Sequence, residues 1–98
     1  MDSFTGARAL VTGGASGIGR GLATSLLEDG AAAVVLADIE QGALDEAVAS
    51  LRALGLGDVI GVVCDVTEPG SVDAAAASAW EQLGGLEVVC LNAGVFAG

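Results

Sequence analysis

The residues Thr12-Gly13-Gly14-Ala15-Ser16-Gly17-Ile18-Gly19 constrain this chain more than any other stretch. They follow the apolar run Ala9-Leu10-Val11 and lead into Ile18, Leu22 and Leu26, which recur at helical spacing. The segment therefore reads as a glycine-rich turn between a strand and a helix. Such a turn is a phosphate-binding device. Glycines let the backbone bend tightly and approach an anion, and a helix N-terminus offers unpaired N–H groups with a partial positive charge. Taken alone, these glycines also suit an ordinary strand-to-helix loop. Asp38 decides between the two. It ends the next apolar run, 33–37. That is about 20 residues past the glycines, where a carboxylate can accept both hydroxyls of an adenosine ribose. Turn and acid together predict a dinucleotide site.

The rest of the chain alternates in the same way. Its patterning predicts strands over 7–11, 33–37, 59–64 and 86–91, and helices over 17–29 and 41–54. Gly30 and Gly55 stop the first two helices. A third helix is expected with Thr67 as its cap and Pro69 in its first turn. Its inner stripe is Val72, Ala76, Ala79 and Leu83, with Trp80 packing beside it, and Gly84-Gly85 ends it. The order β-α-β-α-β-α-β implies a parallel sheet with helices on both faces.

Composition limits the classes of function. At 98 residues, 53% apolar and 16% charged, the chain has room for one domain with a modest core. A net charge of −10 argues against nucleic acid or an anionic membrane surface as partner, since both demand basic patches. No run approaches the ~18 apolar residues of a membrane span. The N-terminus carries Asp2 and no basic-then-apolar signal pattern, so a cytoplasmic location is expected. The chain has no histidine, which excludes a Ser-His-Asp triad or a histidine-based metal site within it, and no metal ligands are assigned.

Each residue of the turn has an expected task. Gly13 makes the sharp exit from the strand. Ser16 adds a hydroxyl donor toward the phosphates. Gly17, Ile18 and Gly19 open the helix, with the Ile18 N–H aimed at the pyrophosphate. Arg20 reads as a surface residue of the first helical turn. Asp38 repels a 2′-phosphate, so NAD is expected in preference to NADP.

Three segments now carry a family resemblance. Thr12-Gly13-x-x-x-Gly17-Ile18-Gly19, Cys64-Asp65-Val66 and Asn92-Ala93-Gly94 follow one another as the corresponding motifs do in the short-chain dehydrogenases/reductases. The resemblance spans essentially the whole chain. It implies an α/β, Rossmann-like parallel sheet of strand order 3-2-1-4, incomplete on its C-terminal side, with residues 1–98 forming the first half of an NAD(P)-binding domain. It implies that Asp65 accepts a hydrogen bond from the adenine amino group and that the Val66 N–H meets a ring nitrogen. The alternative for Asp65 is a strand-end acid that caps its own loop. Asn92, Ala93 and Gly94 would flank the nicotinamide ribose. Many members carry a further Asn where this chain has Leu91. NADP-preferring members usually place a basic residue at the positions held here by Ser16 and Ile39, both uncharged.

The family moves hydride between a nicotinamide cofactor and an alcohol or carbonyl, using a Tyr-x-x-x-Lys pair and an upstream Ser. This chain has no Tyr and no Lys, so no catalytic residue is assigned. The expectation is the cofactor-binding part of such an oxidoreductase, with the catalytic half absent, a small-molecule substrate only where that half exists, and an oligomer possible in the full-length form. The alternative is a non-catalytic fragment or dinucleotide-binding remnant. A methyltransferase-type domain fits less well, because those glycines are usually packed as Gly-x-Gly-x-Gly. In a 3-2-1-4 sheet Cys64 and Cys90 lie three strand spacings apart, roughly 14 Å, beyond the ~7 Å reach of a disulfide, and both read as buried small residues.

Overall fold

Successive residues of a strand face opposite sides of a sheet, and this chain fills both sides. The computed structural model describes residues 4–65, 67–68 and 70–90. Along them run β1 (Arg8–Thr12), α1 (Gly17–Glu28), β2 (Ala33–Asp38), α2 (Gln41–Arg52), β3 (Asp58–Val63), α3 (Ser71–Leu83) and β4 (Val88–Cys90). The strands form a parallel sheet in the order β3-β2-β1-β4, the Rossmann-like arrangement expected from the motifs. In register, Thr12 lies beside Ala37, Asp38 beside Val63 and Val11 beside Cys90.

Ala9, Val11, Val34 and Leu36 pack against Leu27 of α1 and Leu44 of α2. Leu10, Val35 and Ala37 pack on the other side with Ala75 and Ala79 of α3. Helices therefore cover both faces, two against one. The central strands β1 and β2 are apolar on both sides, which is why their sequences read as unbroken apolar runs. The outer strands are half open, with Val63 and Val89 exposed. An apolar groove of about 420 Å³ lies between α1 and β4, lined in part by Leu22, Leu26, Val88 and Cys90. Among the described residues no helix is long and apolar enough to cross a membrane.

Several boundaries differ from the sequence expectation. Helix α2 ends at Arg52 rather than at 54, because Leu54 is exposed and extending the helix would bury nothing. Helix α3 begins at Ser71, behind Gly70, whose left-handed backbone (φ 83°) makes the entry turn. Thr67 is therefore not the cap. Its N–H and hydroxyl are both given to Asp65 instead. Pro69 lies outside the described residues, and its position in sequence precedes the helix. The buried stripe of α3 is Ala75 and Ala79, flanked by partly buried Val72, Ala76 and Leu83, while Trp80 is 58% exposed rather than packed. Strand β4 begins at Val88 rather than at 86, and Leu91 lies outside the described residues. Both cysteines are free, Cys64 buried and Cys90 only half-buried.

At the opposite end of the strands from the glycine turn, Arg8 and Glu87 clasp β1 to the start of β4. Their side chains form an ion pair. Glu87 Oε1 also accepts the Arg8 main-chain N–H at 2.7 Å and its Nε at 3.0 Å. Gly85 makes room for this: a Cβ there would lie 2.7 Å from the guanidinium carbon. The Arg8 side-chain hydrogen bonds, then its main-chain N–H, hold the Glu87 carboxyl below its ordinary value of 4.5. A depressed carboxyl stabilises the fold above its unfolded value, and that contribution disappears as pH falls through the lower folded value. Glu87→Gln should therefore melt below the wild type at pH near 7, with the gap closing toward pH of about 3. A gap of equal size at both pH values would show that the ionised pair contributes nothing.

Candidate functional site

The glycine turn is held by its own backbone before anything binds it. Gly13 has a positive φ of 66°, which turns the chain sharply out of β1. Ser16 is the N-cap of α1. Its hydroxyl accepts the Gly19 N–H at 3.1 Å and donates to the Gly13 carbonyl at 2.7 Å. The Ser16 carbonyl accepts the Arg20 N–H at 2.8 Å. The first N–H groups of a helix have no partner within it, so those of Gly17 and Ile18 face outward ahead of these. The hydroxyl expected to serve phosphate is thus already engaged in shaping the turn.

The glycines divide the work by space. A Cβ on Gly19 would sit 2.0 Å from the Gly13 carbonyl oxygen, so α1 can approach the turn only without a side chain there. A Cβ on Gly14 would sit 2.7 Å from that of Leu36, which beds the turn on β2. The Gly14 N–H adds a bond to the Ala37 carbonyl at 3.1 Å. A Cβ on Gly17 would meet nothing within 4 Å. That side is open and lies at the outward N–H groups, where an anion could approach the backbone. Ile18 stands 71% exposed beside it.

Asp38 reaches this turn. Its Oδ2 accepts the Ala15 N–H at 3.0 Å, and its Oδ1 accepts the N–H of Ile39 at 2.8 Å and of Glu40 at 3.4 Å. Sequence reasoning placed the acid at the strand end but missed Ala15 as its partner. No residue-type signal marks a backbone donor. Asp65 follows close by, because the Asp38 carbonyl accepts the Cys64 N–H at 2.9 Å and so ties the end of β3 to that of β2. Asp65 Oδ1 accepts the Thr67 hydroxyl at 2.6 Å and the Thr67 N–H at 2.9 Å. Those two bonds hold its carboxyl below the ordinary value, the hydroxyl contributing more. The loop-capping role weighed for Asp65 is therefore present. The Asp65 N–H in turn donates to Ser71 Oγ at 3.1 Å.

The turn, Asp38 and Asp65 thus meet at the C-terminal ends of β1, β2 and β3. Strand order reverses between β1 and β4, which opens a crevice at that same edge. Thr12, fully buried, spans the reversal by donating its hydroxyl to the Cys90 carbonyl at 3.4 Å. From the sequence alone Thr12 has no assigned task, although it heads the motif. Val66, Asn92, Ala93 and Gly94 lie outside the described residues. The arrangement offers backbone donors for phosphate and carboxylate acceptors for hydroxyls, which are the two needs of a nucleotide. Among the described residues it offers no acid or base poised for proton transfer to a substrate.

Comparison with known proteins returns the same group. The family model for short chain dehydrogenase matches residues 7–98. The 1-deoxy-11-beta-hydroxypentalenate dehydrogenase of Streptomyces arenae is 47% identical over 95 residues, which cover 97% of this chain and 33% of that protein. A solved short chain dehydrogenase/reductase from Burkholderia phymatum, in complex with NAD, superposes with a TM-score of 0.82 and 40% identity, over 91% of this chain and 31% of its own. L-sorbose reductase from Gluconobacter frateurii, complexed with NADPH and L-sorbose, superposes with a TM-score of 0.86 and 35% identity, over 97% of this chain and 36% of its own. The chain spans about a third of the length of the curated relatives it matches.

Proposed function

This chain belongs to the short chain dehydrogenase family, and we propose that it is the nicotinamide-dinucleotide-binding part of an oxidoreductase acting on an alcohol or carbonyl, with NAD preferred over NADP. The observation that carries this reading is the Asp38 carboxylate, fixed beside the glycine turn at the end of β2. The outward N–H groups of Gly17 and Ile18 would meet the pyrophosphate, with the absent Cβ of Gly17 giving it access. Asp38 would accept the adenosine ribose hydroxyls and refuse a 2′-phosphate by charge. Asp65, whose Oδ1 serves Thr67, would turn Oδ2 to the adenine amino group, with the Val66 N–H beside it. Asn92, Ala93 and Gly94 would lie toward the nicotinamide ribose. When bound, the cofactor supplies or accepts the hydride. The absence of Tyr and Lys from these 98 residues favours a second reading, a dinucleotide-binding chain without turnover of its own.

Both readings are tested by titrating the chain with NAD and NADP and assaying alcohol oxidation. The expected result is NAD binding without turnover. Asp38→Ala combined with Ile39→Arg should move the NAD-to-NADP affinity ratio by roughly tenfold or more toward NADP, by removing one charge and adding a phosphate partner. An unchanged ratio would place Asp38 away from the ribose. Turnover on the order of 10 per second by the wild-type chain would overturn the non-catalytic assignment.

A further inference from the structure

We propose that the backbone N–H of Ala15 is a positioning group for cofactor choice: its bond to Asp38 Oδ2 locks the carboxylate in place, so that a 2′-phosphate meets a fixed charge instead of one that can swing aside. This rests on the reading of the site given above. An acidic side chain at the end of a strand has two rotatable bonds. Left free at a half-open site, it can turn away from an incoming anion and let water screen the repulsion. Here it cannot do so cheaply. Both of its oxygens hold backbone donors, Ala15 on Oδ2 at 3.0 Å and Ile39 on Oδ1 at 2.8 Å. Hydrogen bonds to an ionised carboxylate are among the stronger ones, and turning Oδ2 away strands the Ala15 N–H.

The donor stands on a rigid base. Ala15 follows Gly14, whose N–H is bound to the Ala37 carbonyl and whose missing Cβ lets the turn rest on Leu36. Ala15 itself packs against the core shared by α1 and α2. The Asp38 main chain is pinned from the other side by the Cys64 N–H at 2.9 Å. The lock also leaves room for the favoured ligand. A carboxylate has about four acceptor positions; Ala15 takes one on Oδ2, while Ile39 and, at a longer 3.4 Å, Glu40 take those on Oδ1. One ribose hydroxyl can therefore bind the open position on Oδ2 and a second can replace the long Glu40 bond on Oδ1, both without displacing Ala15, whereas a 2′-phosphate brings charge where donors are needed. A single bond thus serves both the empty turn and the selection of what fills it.

The test separates charge from position. Asp38→Glu keeps the charge but carries the carboxylate one methylene past the Ala15 N–H. Ala15→Pro keeps Asp38 and removes the donor. NAD and NADP affinities of the full chain are measured for both, beside Asp38→Ala, with a thermal melt to verify folding and amide hydrogen exchange to follow Ala15. The expected result is that Asp38→Glu and Ala15→Pro each lose about tenfold of the NAD-over-NADP preference despite the retained charge, and that the Ala15 amide, protected in the wild type, exchanges freely in Asp38→Glu. Where Ala15→Pro fails to fold, Asp38→Glu decides alone. Full preference in Asp38→Glu, or an Ala15 amide that exchanges equally fast in the wild type, overturns the proposal. If the wild type binds neither dinucleotide, the site reading falls and the selection claim with it. That failure is distinguishable, because the exchange difference between wild type and Asp38→Glu would persist.

Discussion

Gly19→Ala is expected to destabilise the domain by about 2 kcal/mol, the balance of an overpacking cost near 3 and a helix-propensity gain near 1. In a chain of this size that lowers the melting temperature by roughly 8–16 °C. The added methyl would stand 2.0 Å from the Gly13 carbonyl oxygen. Gly13 in turn is fixed by its positive φ and by the Ser16 hydroxyl, so the turn must move as a body. Dinucleotide affinity should fall with it. Gly17→Ala makes the instructive contrast, since its methyl meets nothing in the chain. Its melting temperature should hold or rise slightly, while affinity drops because the methyl occupies the open approach to the helix end. A melt and a NAD titration on the two variants check both statements. If Gly19→Ala melts with the wild type, the close approach of α1 to the turn is wrong.

Leu36→Ala should destabilise by about 3 kcal/mol, a large part of the ~5–15 kcal/mol typical of whole domains. Leu36 is fully buried in β2, packed among Val34, Val11 and Leu44, and loss of its side chain leaves a cavity between sheet and helices. The same residue is the bed on which Gly14 rests, so the turn should loosen as the core does. Denaturant unfolding of Leu36→Ala beside Val63→Ala gives the measurement. Val63 is half exposed on the outer strand, and its truncation should stay near 0.5 kcal/mol. Equal losses at the two positions would contradict the burial of the central strands.

Much of this architecture was legible because local signals and global packing agree. The runs ending at Val11 and Ala37 are apolar at every position, and only a strand covered on both sides calls for that. Periodicity found the helices, and the spacing of Gly13, Gly17, Gly19 and Asp38 found the edge of the sheet where they meet. The misses share a cause: they depend on contacts between distant segments. Thr67 has the right chemistry for a cap, yet Asp65 takes both its donors and Gly70 makes the turn instead. Trp80 lies beside an inner stripe on a helical wheel, but α3 settles onto its alanines and leaves the ring outside. The Ala15–Asp38 bond needs the turn to bed on Leu36, and the Arg8–Glu87 clasp needs a strand to cross back past β1. No window of sequence contains both partners of either.

The clasp bears on the order of assembly. Arg8 pairs in register with Ala33 of β2, a short excursion along the chain, whereas Ala9 meets Val88 of β4 only after two further strands and three helices have intervened. Closing the longer loop costs about 1 kcal/mol more in chain entropy, and contacts that wait on distant segments form slowly. The run from β1 through β3 can zip up neighbour by neighbour, each helix folding back over the strand before it. Strand β4 must instead find its place beside a surface already built. Interactions formed after the folding barrier leave the folding rate alone and act on unfolding. If β4 docks after that barrier, Arg8 and Glu87 would slow unfolding and leave folding unchanged. Strand β4 forms one wall of the crevice at the order reversal, so slower undocking of that strand would prolong the life of the crevice.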